Sequence, residues 1–469
     1  LGLSDVVTAV NIIPASGEFV YATETVREQV FAGKERALNA WSGEARADFL
    51  VSLDQLETDL PRVSQVALTV GWFGTSIAAG SCEIHPGVEV RERVTVPYAW
   101  EVAGVARGDA YVISRDEGGH PNYGGTPADR CVIEAIREMN ARGLSVTLSP
   151  FLFMDSEGFP WRGRIGVSAD GTAAARSEID AFVNGANGFR RFILHHAQLA
   201  AEAGGVEAFL IGSEMVGLNR VRDETGAFPF VEALVALAAE AKAILPGADV
   251  SYAADWTEYG AYVPGDGTGD VLFPLDALWA SADVDFVGVD WYPPLGDWRD
   301  GAAHLDALAG YGAADDPAYL ASQIAGGEAY DWYYANGAAR DAQTRLSIQD
   351  GAYGEHFIFR QKDVAGWAGH FHHERPGGVR EAAPTGWVPG MKPVRLMEIG
   401  FAAVDKGGNA PNVFYDPKSS ESALPPYSSG ARERWRKLGA RALAEWPVGP
   451  CTIGRCGGGY LRAGRRGRC

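Results

Sequence analysis

Residues 206–214 read VEAFLIGSE, a mostly apolar run that ends in a glutamate. Similar runs recur along the chain without clean alternation of apolar and polar residues, as expected of strands buried on both faces of a parallel sheet. Seven segments fit this pattern, and we predict strands at VSQVALTVGWF (63–73), AYVIS (110–114), SVTLSPFLF (145–153), VEAFLIGS (206–213), DVSYAAD (249–255), VDFVGVDW (284–291) and PVRLMEI (393–399).

Helical patterns lie between these runs. TPADRCVIEAIREMNARG (126–143) begins with Thr126 and Pro127, residue types that cap and open helices, and it ends at Gly143. Apolar residues also repeat at helical spacing within 187–203 and 228–244, and a last helix is predicted at 431–446.

Strands that alternate with helices predict an α/β fold, specifically a (β/α)₈ TIM barrel. Its long loop insertions are expected at about 156–186, 293–336 and 404–430. No eighth strand follows the last helix, so we expect that strand to be missing or altered at the C-terminus.

Three regions are predicted along the chain. Residues 1–60, with a strand or hairpin at FVYATETV (19–26) and a helix, form an N-terminal collar packed on the barrel, which itself spans 61–450. Residues 451–469 form an atypical basic tail rich in Gly, Arg and Cys, which we expect to be disordered. The opening LGLSDVV has no initiator Met and no basic signal region, so we expect the chain to be part of a longer polypeptide.

The composition excludes several classes of protein. Of the 469 residues, 46% are hydrophobic and 22% are charged, with a formal net charge of −19. That mixture is globular rather than disordered, and the negative charge argues against a nucleic-acid partner. No apolar stretch is long enough to span a membrane, and five cysteines are too few for a disulfide scaffold. No nucleotide-binding or serine-hydrolase motif occurs in a supporting context, so no cofactor is predicted.

Residues at the carboxyl ends of barrel strands face the site. The chain places a carboxylate or an aromatic ring at most of these ends. Glu214 after the fourth predicted strand and Glu398 in the seventh are the candidate catalytic residues, and the candidate substrate-binding residues are Trp72, Asp155, Asp255, Trp256, Asp290, Trp291 and Tyr292.

Two carboxylates at the fourth and seventh strands suit the hydrolysis of a glycosidic bond. One carboxyl group donates a proton to the leaving oxygen, and the other attacks the anomeric carbon or activates water. The Trp and Tyr side chains supply rings that stack on sugars. The alternative interpretation is that each glutamate is a structural salt-bridge partner, for which Arg220 and Arg395 are available.

Histidines offer a third possibility. The cluster HFHHE (His370, His372, His373 and Glu374) has metal-binding residue types, which would suit a metal-dependent hydrolase. Because the cluster precedes RPGG in an insertion, we favour a solvated loop and predict no metal. His195 and His196 lie within a predicted helix and are interpreted as packing residues.

The sequence resembles the TIM-barrel-like, glycoside-hydrolase-like domain of the large tail protein of gene transfer agents and related phage tails. The segments that carry the resemblance are SGEFVYAT (16–23), VGWFG (70–74), YGGTPAD (123–129), IGSEMVGL (211–218), YAADWTEY (252–259), VDFVGVDWYPPLGDWRDG (284–301), IAGGEAYDWYYA (324–335), MEIGFAAVDKGGNAPNVF (397–414) and DPKSSESALPPYSSG (416–430).

The resemblance implies a retaining glycosidase-like barrel in which Glu214 is the acid/base and Glu398 the nucleophile. It also implies a virion-like tail particle, made in the cytoplasm and acting at the bacterial cell envelope. Its partners would be an envelope polysaccharide, such as peptidoglycan or a capsule, and other tail or baseplate proteins. Retaining enzymes of this barrel type usually have Asn before the strand-four glutamate, whereas this chain has Ser213. The alternative is a non-catalytic carbohydrate-binding or structural module of the tail or baseplate.

Overall fold

The computed structural model describes residues 3–31 and 33–431. The chain divides into two compact units. Thr8 to Tyr252 form the N-terminal unit, and the described residues from Ala253 onward, with those before Thr8, form the C-terminal unit. The predicted helix at 431–446 and the predicted tail at 451–469 lie outside the described residues, apart from residue 431.

A parallel sheet is the centre of the N-terminal unit. Its strands lie in chain order, and Leu68 in the second strand pairs with Ile12 on one side and Leu148 on the other. Apolar side chains of the inner strands are almost completely buried, as the continuous apolar runs predict. The strands are β1 (Ala9–Ala15), β2 (Gln65–Gly74), β3 (Ser145–Met154), β4 (Ala208–Ser213) and β5 (Asp249–Asp255), whose last three residues belong to the C-terminal unit.

Helices of the N-terminal unit connect these strands. Gly143 has a φ of 79°, which ends the helix before β3 as predicted. The predicted cap at Thr126 is wrong: the helix begins at Asp129, and the Thr126 hydroxyl instead accepts a hydrogen bond from Gly87 and donates to the Gly71 carbonyl. The helices are α1 (Asp48–Asp59), α2 (Asp129–Ala141), α3 (Ala173–Asn184), α4 (Phe189–Glu202), α5 (Val216–Asn219) and α6 (Pro229–Ile244).

The C-terminal unit continues from β5 into β6 (Val287–Trp291) and β7 (Val394–Ile399), which pair in parallel in that order. About a hundred residues separate β6 from β7 and carry short elements rather than one crossover helix. The helices of this unit are α7 (Asp276–Trp279), α8 (Leu305–Leu308), α9 (Pro317–Ser322), α10 (Gly337–Asp341) and α11 (Val364–Gly369).

Both units also contain short strands and turns of 3₁₀ helix. Two-residue or hairpin strands are Arg27–Phe31, Lys34–Ala37, Ile84–His85, Gly87–Val88, Thr95–Val96, Glu101–Val102, Val105–Ala106, Tyr111–Val112, Trp332–Tyr333 and Leu346–Ser347. Turns of 3₁₀ helix are Leu3–Asp5, Ala79–Ser81, Arg107–Asp109, Arg162–Arg164, His356–Phe359, Pro376–Gly378 and Gly407–Asn409.

Three points of the strand prediction are corrected. Residues 110–114 do not enter the main sheet, because Tyr111–Val112 pairs only with Gly87–Val88. The parallel strand that sequence reasoning missed is β1, which pairs with β2 although the first 60 residues are predicted as a collar. The segment 19–26 forms turns, and the hairpin begins at Arg27.

The described residues thus supply seven parallel strands with helices between them, an incomplete (β/α) TIM barrel. Counted along the chain, β4 is the fourth of these strands and β7 the seventh. Within 3–31 and 33–431, no helix combines the length and the apolar character needed to cross a membrane. Cys82 and Cys131 are buried free thiols.

Candidate active site

Glu214 directly follows β4 and is 8% exposed. Its Oε2 accepts a hydrogen bond from Trp161 Nε1 at 2.7 Å and lies 2.8 Å from a terminal guanidinium nitrogen of Arg162. Both contacts therefore use the same carboxylate oxygen. Trp161 and Arg162 lie in the predicted insertion 156–186, so this βα loop supplies the groups that orient the glutamate.

Arg162 binds the end of β4 as well as the glutamate. Its Nε donates to the Ser213 carbonyl at 2.8 Å, and a terminal nitrogen donates to Ser213 Oγ at 2.9 Å. The guanidinium lies 3.9 Å from the ring centroid of Phe151, and Arg162 is 5% exposed. Arg162, which the sequence analysis did not name, is thus an ion-pair partner of Glu214.

The backbone at the end of β4 is unusual. Glu214 has a φ of 52°, in the left-handed region that a glutamate seldom adopts, and Gly212 has a φ of 131°. A Cβ atom at Gly212 would lie 2.7 Å from Phe189 Cζ, so glycine is required there. The Met215 amide donates to the Tyr252 hydroxyl at 2.5 Å, which fixes the turn. Strained backbone of this kind is concentrated at functional sites.

Two predicted substrate-binding residues of the N-terminal unit make structural contacts within the protein. Trp72 is completely buried, and its ring packs against Phe192, His195 and His196 of α4, so it offers no face to a sugar. Asp155 accepts hydrogen bonds from the Ser114 amide at 2.9 Å, the Ser114 hydroxyl and the Tyr111 hydroxyl at 2.8 Å.

These three donors use both carboxylate oxygens of Asp155. They fasten residues 111–114 beside the end of β3. The carboxylate therefore anchors a loop, and its contact with a substrate hydroxyl stays a prediction.

Three acidic residues are in register at the carboxyl ends of the strands of the C-terminal unit. Asp255 in β5 pairs with Asp290 in β6, and Asp290 pairs with Glu398 in β7. The register shifts between Val289 and Asp290, so that Glu398 rather than Met397 lies opposite Asp290. A β-bulge of this kind changes the direction of the side chains that follow it. Residues paired across neighbouring strands point to the same face of the sheet. The three carboxylates therefore lie side by side at the carboxyl ends of β5, β6 and β7.

Tyr292 orients Glu398. Its hydroxyl donates to Glu398 Oε2 at 2.7 Å, and its ring stands perpendicular to that of Phe414, with centroids 5.7 Å apart. Glu398 is partly exposed, whereas Asp290 is 1% exposed. Phe414 belongs to the predicted insertion 404–430 and did not stand out in the sequence.

The remaining predicted residues of this unit differ in exposure. Asp255 Oδ1 accepts hydrogen bonds from the amide and hydroxyl of Thr257, at 2.9 and 2.5 Å, and so stabilises the turn after β5. Trp291 is 1% exposed, and its contact with a sugar stays a prediction. Trp256, at 8% exposed, and Tyr292, at 4%, remain predictions as substrate contacts.

The histidine cluster is structural. His372 is completely buried, and its two ring nitrogens contact Asp276 and the Trp367 carbonyl, both at 2.8 Å. His370 and His373 each place Nδ1 against a backbone carbonyl. The interpretation of a solvated loop is therefore wrong for His372, and its nitrogens are not available to ligate a metal.

The two helical histidines are packing residues, as expected. His196 is buried in α4 beside Trp72, and burial lowers the pKa of its ring to about 3. His195 contacts Asp129 at 2.8 Å.

A family model described as GTA TIM-barrel-like domain matches residues 187–445, more than half of the chain. This chain belongs to that family. The matched range contains both Glu214 and Glu398. A second model, Glycoside Hydrolase Family 113, matches residues 120–226, which include Trp161, Arg162 and Glu214. The GTA TIM-barrel-like chain is therefore a glycoside-hydrolase-like domain.

Solved structures show weak similarity. A GH113 β-1,4-mannanase is 15% identical with a TM-score of 0.36, over 62% of this chain and 64% of its own length. The GH113 β-mannanase AaManA from Alicyclobacillus acidocaldarius is 13% identical with a TM-score of 0.42, over 94% and 83% of the two chains. The GH53 catalytic domain from Ignisphaera aggregans is 15% identical with a TM-score of 0.26, over 87% and 94%.

The GTA TIM-barrel-like chain spans less than two thirds of the first of these mannanases. No curated protein sequence matches the chain.

Proposed function

We propose that this chain hydrolyses a bacterial envelope polysaccharide by a retaining mechanism with two glutamates. Glu398 is the nucleophile and Glu214 the acid/base. The observation that carries the proposal is that each glutamate lies at its expected strand, the fourth or the seventh, with one carboxylate oxygen already hydrogen-bonded. Oriented carboxylates are what this chemistry requires.

The first step would form a glycosyl ester. Tyr292 hydrogen-bonds to Glu398 Oε2, and the Glu398 carboxylate attacks the anomeric carbon as the glycosidic C–O bond breaks. Trp161 and Arg162 both donate to Glu214 Oε2, so the transferable proton is carried on Oε1 and passes to the leaving oxygen. In the second step Glu214 takes a proton from water, whose oxygen attacks the anomeric carbon and releases Glu398.

The experiment measures the reducing ends released from purified peptidoglycan, a capsular polysaccharide and β-1,4-mannan. Mannan is included because the mannanases above act on it. Glu214→Gln and Glu398→Gln are each expected to lower kcat by about 10²-fold or more. Glu207→Gln is the matched control, since Glu207 is exposed just before β4. NMR of the first product should show retained anomeric configuration.

Unchanged hydrolysis by either variant would remove that glutamate from the mechanism. An inverted product would replace the covalent route by direct attack of water.

The second candidate function is a non-catalytic carbohydrate-binding or structural module. The ion pair between Arg162 and Glu214 favours it, because a salt bridge also holds a carboxylate for purely structural reasons. Ser213, where Asn is usual, points the same way. If the wild-type chain binds these glycans and releases no reducing ends, this function is the correct one.

We also propose that the chain works in a virion-like tail particle, made in the cytoplasm and delivered to the cell envelope. The family match and the resemblance of the ordered segments 284–301 and 397–430 support this context. Mass spectrometry of purified tail particles tests it. Detection of the chain with other tail or baseplate proteins is expected, and its absence from such particles would contradict the proposal.

A further inference from the structure

Phe414 is a large apolar side chain that remains 41% exposed close to a candidate catalytic residue. Its ring meets Tyr292 edge-on, with centroids 5.7 Å apart and planes at 87°. Tyr292 in turn donates to Glu398 at 2.7 Å. A single side chain therefore separates an exposed phenyl ring from the carboxylate.

The loop that carries Phe414 is held by hydrogen bonds on both sides of the ring. The Val413 amide donates to the Ala410 carbonyl at 3.0 Å, and the Ala423 amide donates to the Phe414 carbonyl at 3.3 Å. Further along, the Asp416 amide donates to Ser422 Oγ at 2.9 Å. The backbone thus presents the ring in a defined position, which lowers the entropy cost of binding a ligand.

The base of the same loop is also fixed. The amide nitrogen of the Asn409 side chain donates to the carbonyls of Trp298 and Pro426, at 2.8 and 3.0 Å. The Leu295 amide donates to the Gly408 carbonyl at 2.7 Å. Leu295 lies just after β6, so the insertion is attached to the strand whose end carries Asp290.

The phenyl ring of Phe414 favours a particular class of ligand. A phenyl group has no hydrogen-bonding atom, so it offers only an apolar face, and the C–H face of a neutral pyranose is the matching surface of a polysaccharide. The nearby cation Lys418 is paired with Asp416, and the loop 404–430 as a whole has one more acidic than basic residue, which repels an anionic sugar. A neutral sugar ring therefore fits this surface better than an anionic one.

We propose that Phe414 is the stacking platform for a neutral sugar unit adjacent to the unit held at Glu398. The inference deepens the proposed function and rests on its assignment of the site to a glycan. Tyr292 then has two roles, because it orients the carboxylate and supports the platform from the side. Phe414 is a binding and positioning residue rather than a catalytic one.

The experiment uses the full chain with Glu398→Gln, so that bound glycans are not cleaved. Isothermal titration calorimetry with mannohexaose and with chitohexaose gives Kd. Adding Phe414→Ala should raise Kd for at least one hexasaccharide about tenfold. The reason is that the complex then loses the apolar area that the phenyl ring buries against the sugar. Phe414→Trp should keep Kd within about twofold, since it preserves an aromatic face.

Tyr415→Ala is the matched control. Tyr415 is the next residue on the loop and is 68% exposed, and no ring contact joins it to Tyr292 within the described residues. We expect its Kd to change less than about twofold. Thermal unfolding of each variant shows whether the fold is intact.

Three results would overturn the platform: equal affinity after Phe414→Ala, an equal loss after Tyr415→Ala, or no binding of either hexasaccharide by the Glu398→Gln chain. Failure of the proposed function looks different. There the wild-type chain releases no reducing ends, while hexasaccharide binding persists and still depends on Phe414.

Discussion

The guanidinium of Arg162 lies 2.8 Å from the carboxylate of Glu214, and both side chains are largely withdrawn from water. The same guanidinium donates to the carbonyl and the hydroxyl of Ser213. One arginine from a βα loop therefore holds the final residue of β4 and the glutamate that follows it. This arrangement makes the loop a structural part of the candidate site.

Arg162→Met should lower the free energy of unfolding by about 3–5 kcal/mol, because it leaves the buried Glu214 carboxylate without its cation and removes the donor to the Ser213 carbonyl. Chemical denaturation measures this loss. Arg164→Met is the control, since Arg164 is exposed in the same turn, and it should cost less than about 1 kcal/mol. Adding Glu214→Gln to Arg162→Met should restore part of the stability, because the unpaired charge is gone. Equal losses for the two arginines would contradict the role assigned to Arg162.

Gly212→Ala should destabilise the N-terminal unit by about 2 kcal/mol or more, since a Cβ atom would meet Phe189 and the φ of 131° is unfavourable for alanine. The measurement is again the midpoint of denaturation. Gly247→Ala is the matched control, because its Cβ would meet no atom within 4 Å and its φ is not in the strained range. A Gly212→Ala chain as stable as wild type would show that the end of β4 is not under strain.

Trp72→Phe should lower stability by about 1–3 kcal/mol and leave glycan affinity unchanged, because the indole ring packs on α4. Calorimetry with mannohexaose in the Glu398→Gln chain measures the affinity, and thermal unfolding measures the stability. A higher Kd with no loss of stability would show that Trp72 contacts the sugar.

Lys362 gives the C-terminal unit a pH-dependent stability. Its Nζ is buried and donates to the carbonyls of Gln323 and Gly326, at 2.8 and 3.0 Å, and burial lowers its pKa to about 7. An unfolded lysine keeps its proton until about pH 10.4, so between pH 7 and 10 the unfolded state binds more protons. Stability contributed at this site therefore increases as the pH rises through that window.

Lys362→Met removes this titration. The stability of the wild-type chain relative to Lys362→Met should rise by about 3–5 kcal/mol between pH 7 and pH 10. Urea denaturation of both chains across that range is the measurement. A difference that stays constant with pH would mean that the amine keeps its ordinary pKa in the folded chain.

Strand positions were largely predictable because apolar runs report burial on both faces of a sheet. The run at 206–213 and the run at 249–255 correspond to β4 and β5 within two residues. The failure at 110–114 has a physical cause: Asp155 fastens this short apolar segment beside β3, and no periodicity encodes that contact. β1 was missed because Pro14 interrupts the pattern, at the register shift between Ile12 and Ala15.

Site residues were predictable only where the strand-end rule applies. That rule places Glu214, Glu398, Asp255 and Asp290 at strand ends, where the structure has them, and their roles at a site stay predictions. The rule does not identify the hydrogen-bond and ion-pair partners of a strand-end residue. Trp161 and Arg162, more than fifty residues before Glu214, were therefore not predicted. It also does not reveal that Asp155 accepts hydrogen bonds from a loop about forty residues earlier in the chain.

The left-handed backbone of Glu214 has an evolutionary consequence. Asparagine and glycine adopt that conformation at lower cost than glutamate, so replacing Glu214 with either would relieve the turn while it deletes the acid. Selection for thermal robustness alone would therefore drive the position away from glutamate. Homologues that have been released from selection for turnover should carry Asn or Gly there, which makes this single position a marker of which copies still need the carboxylate.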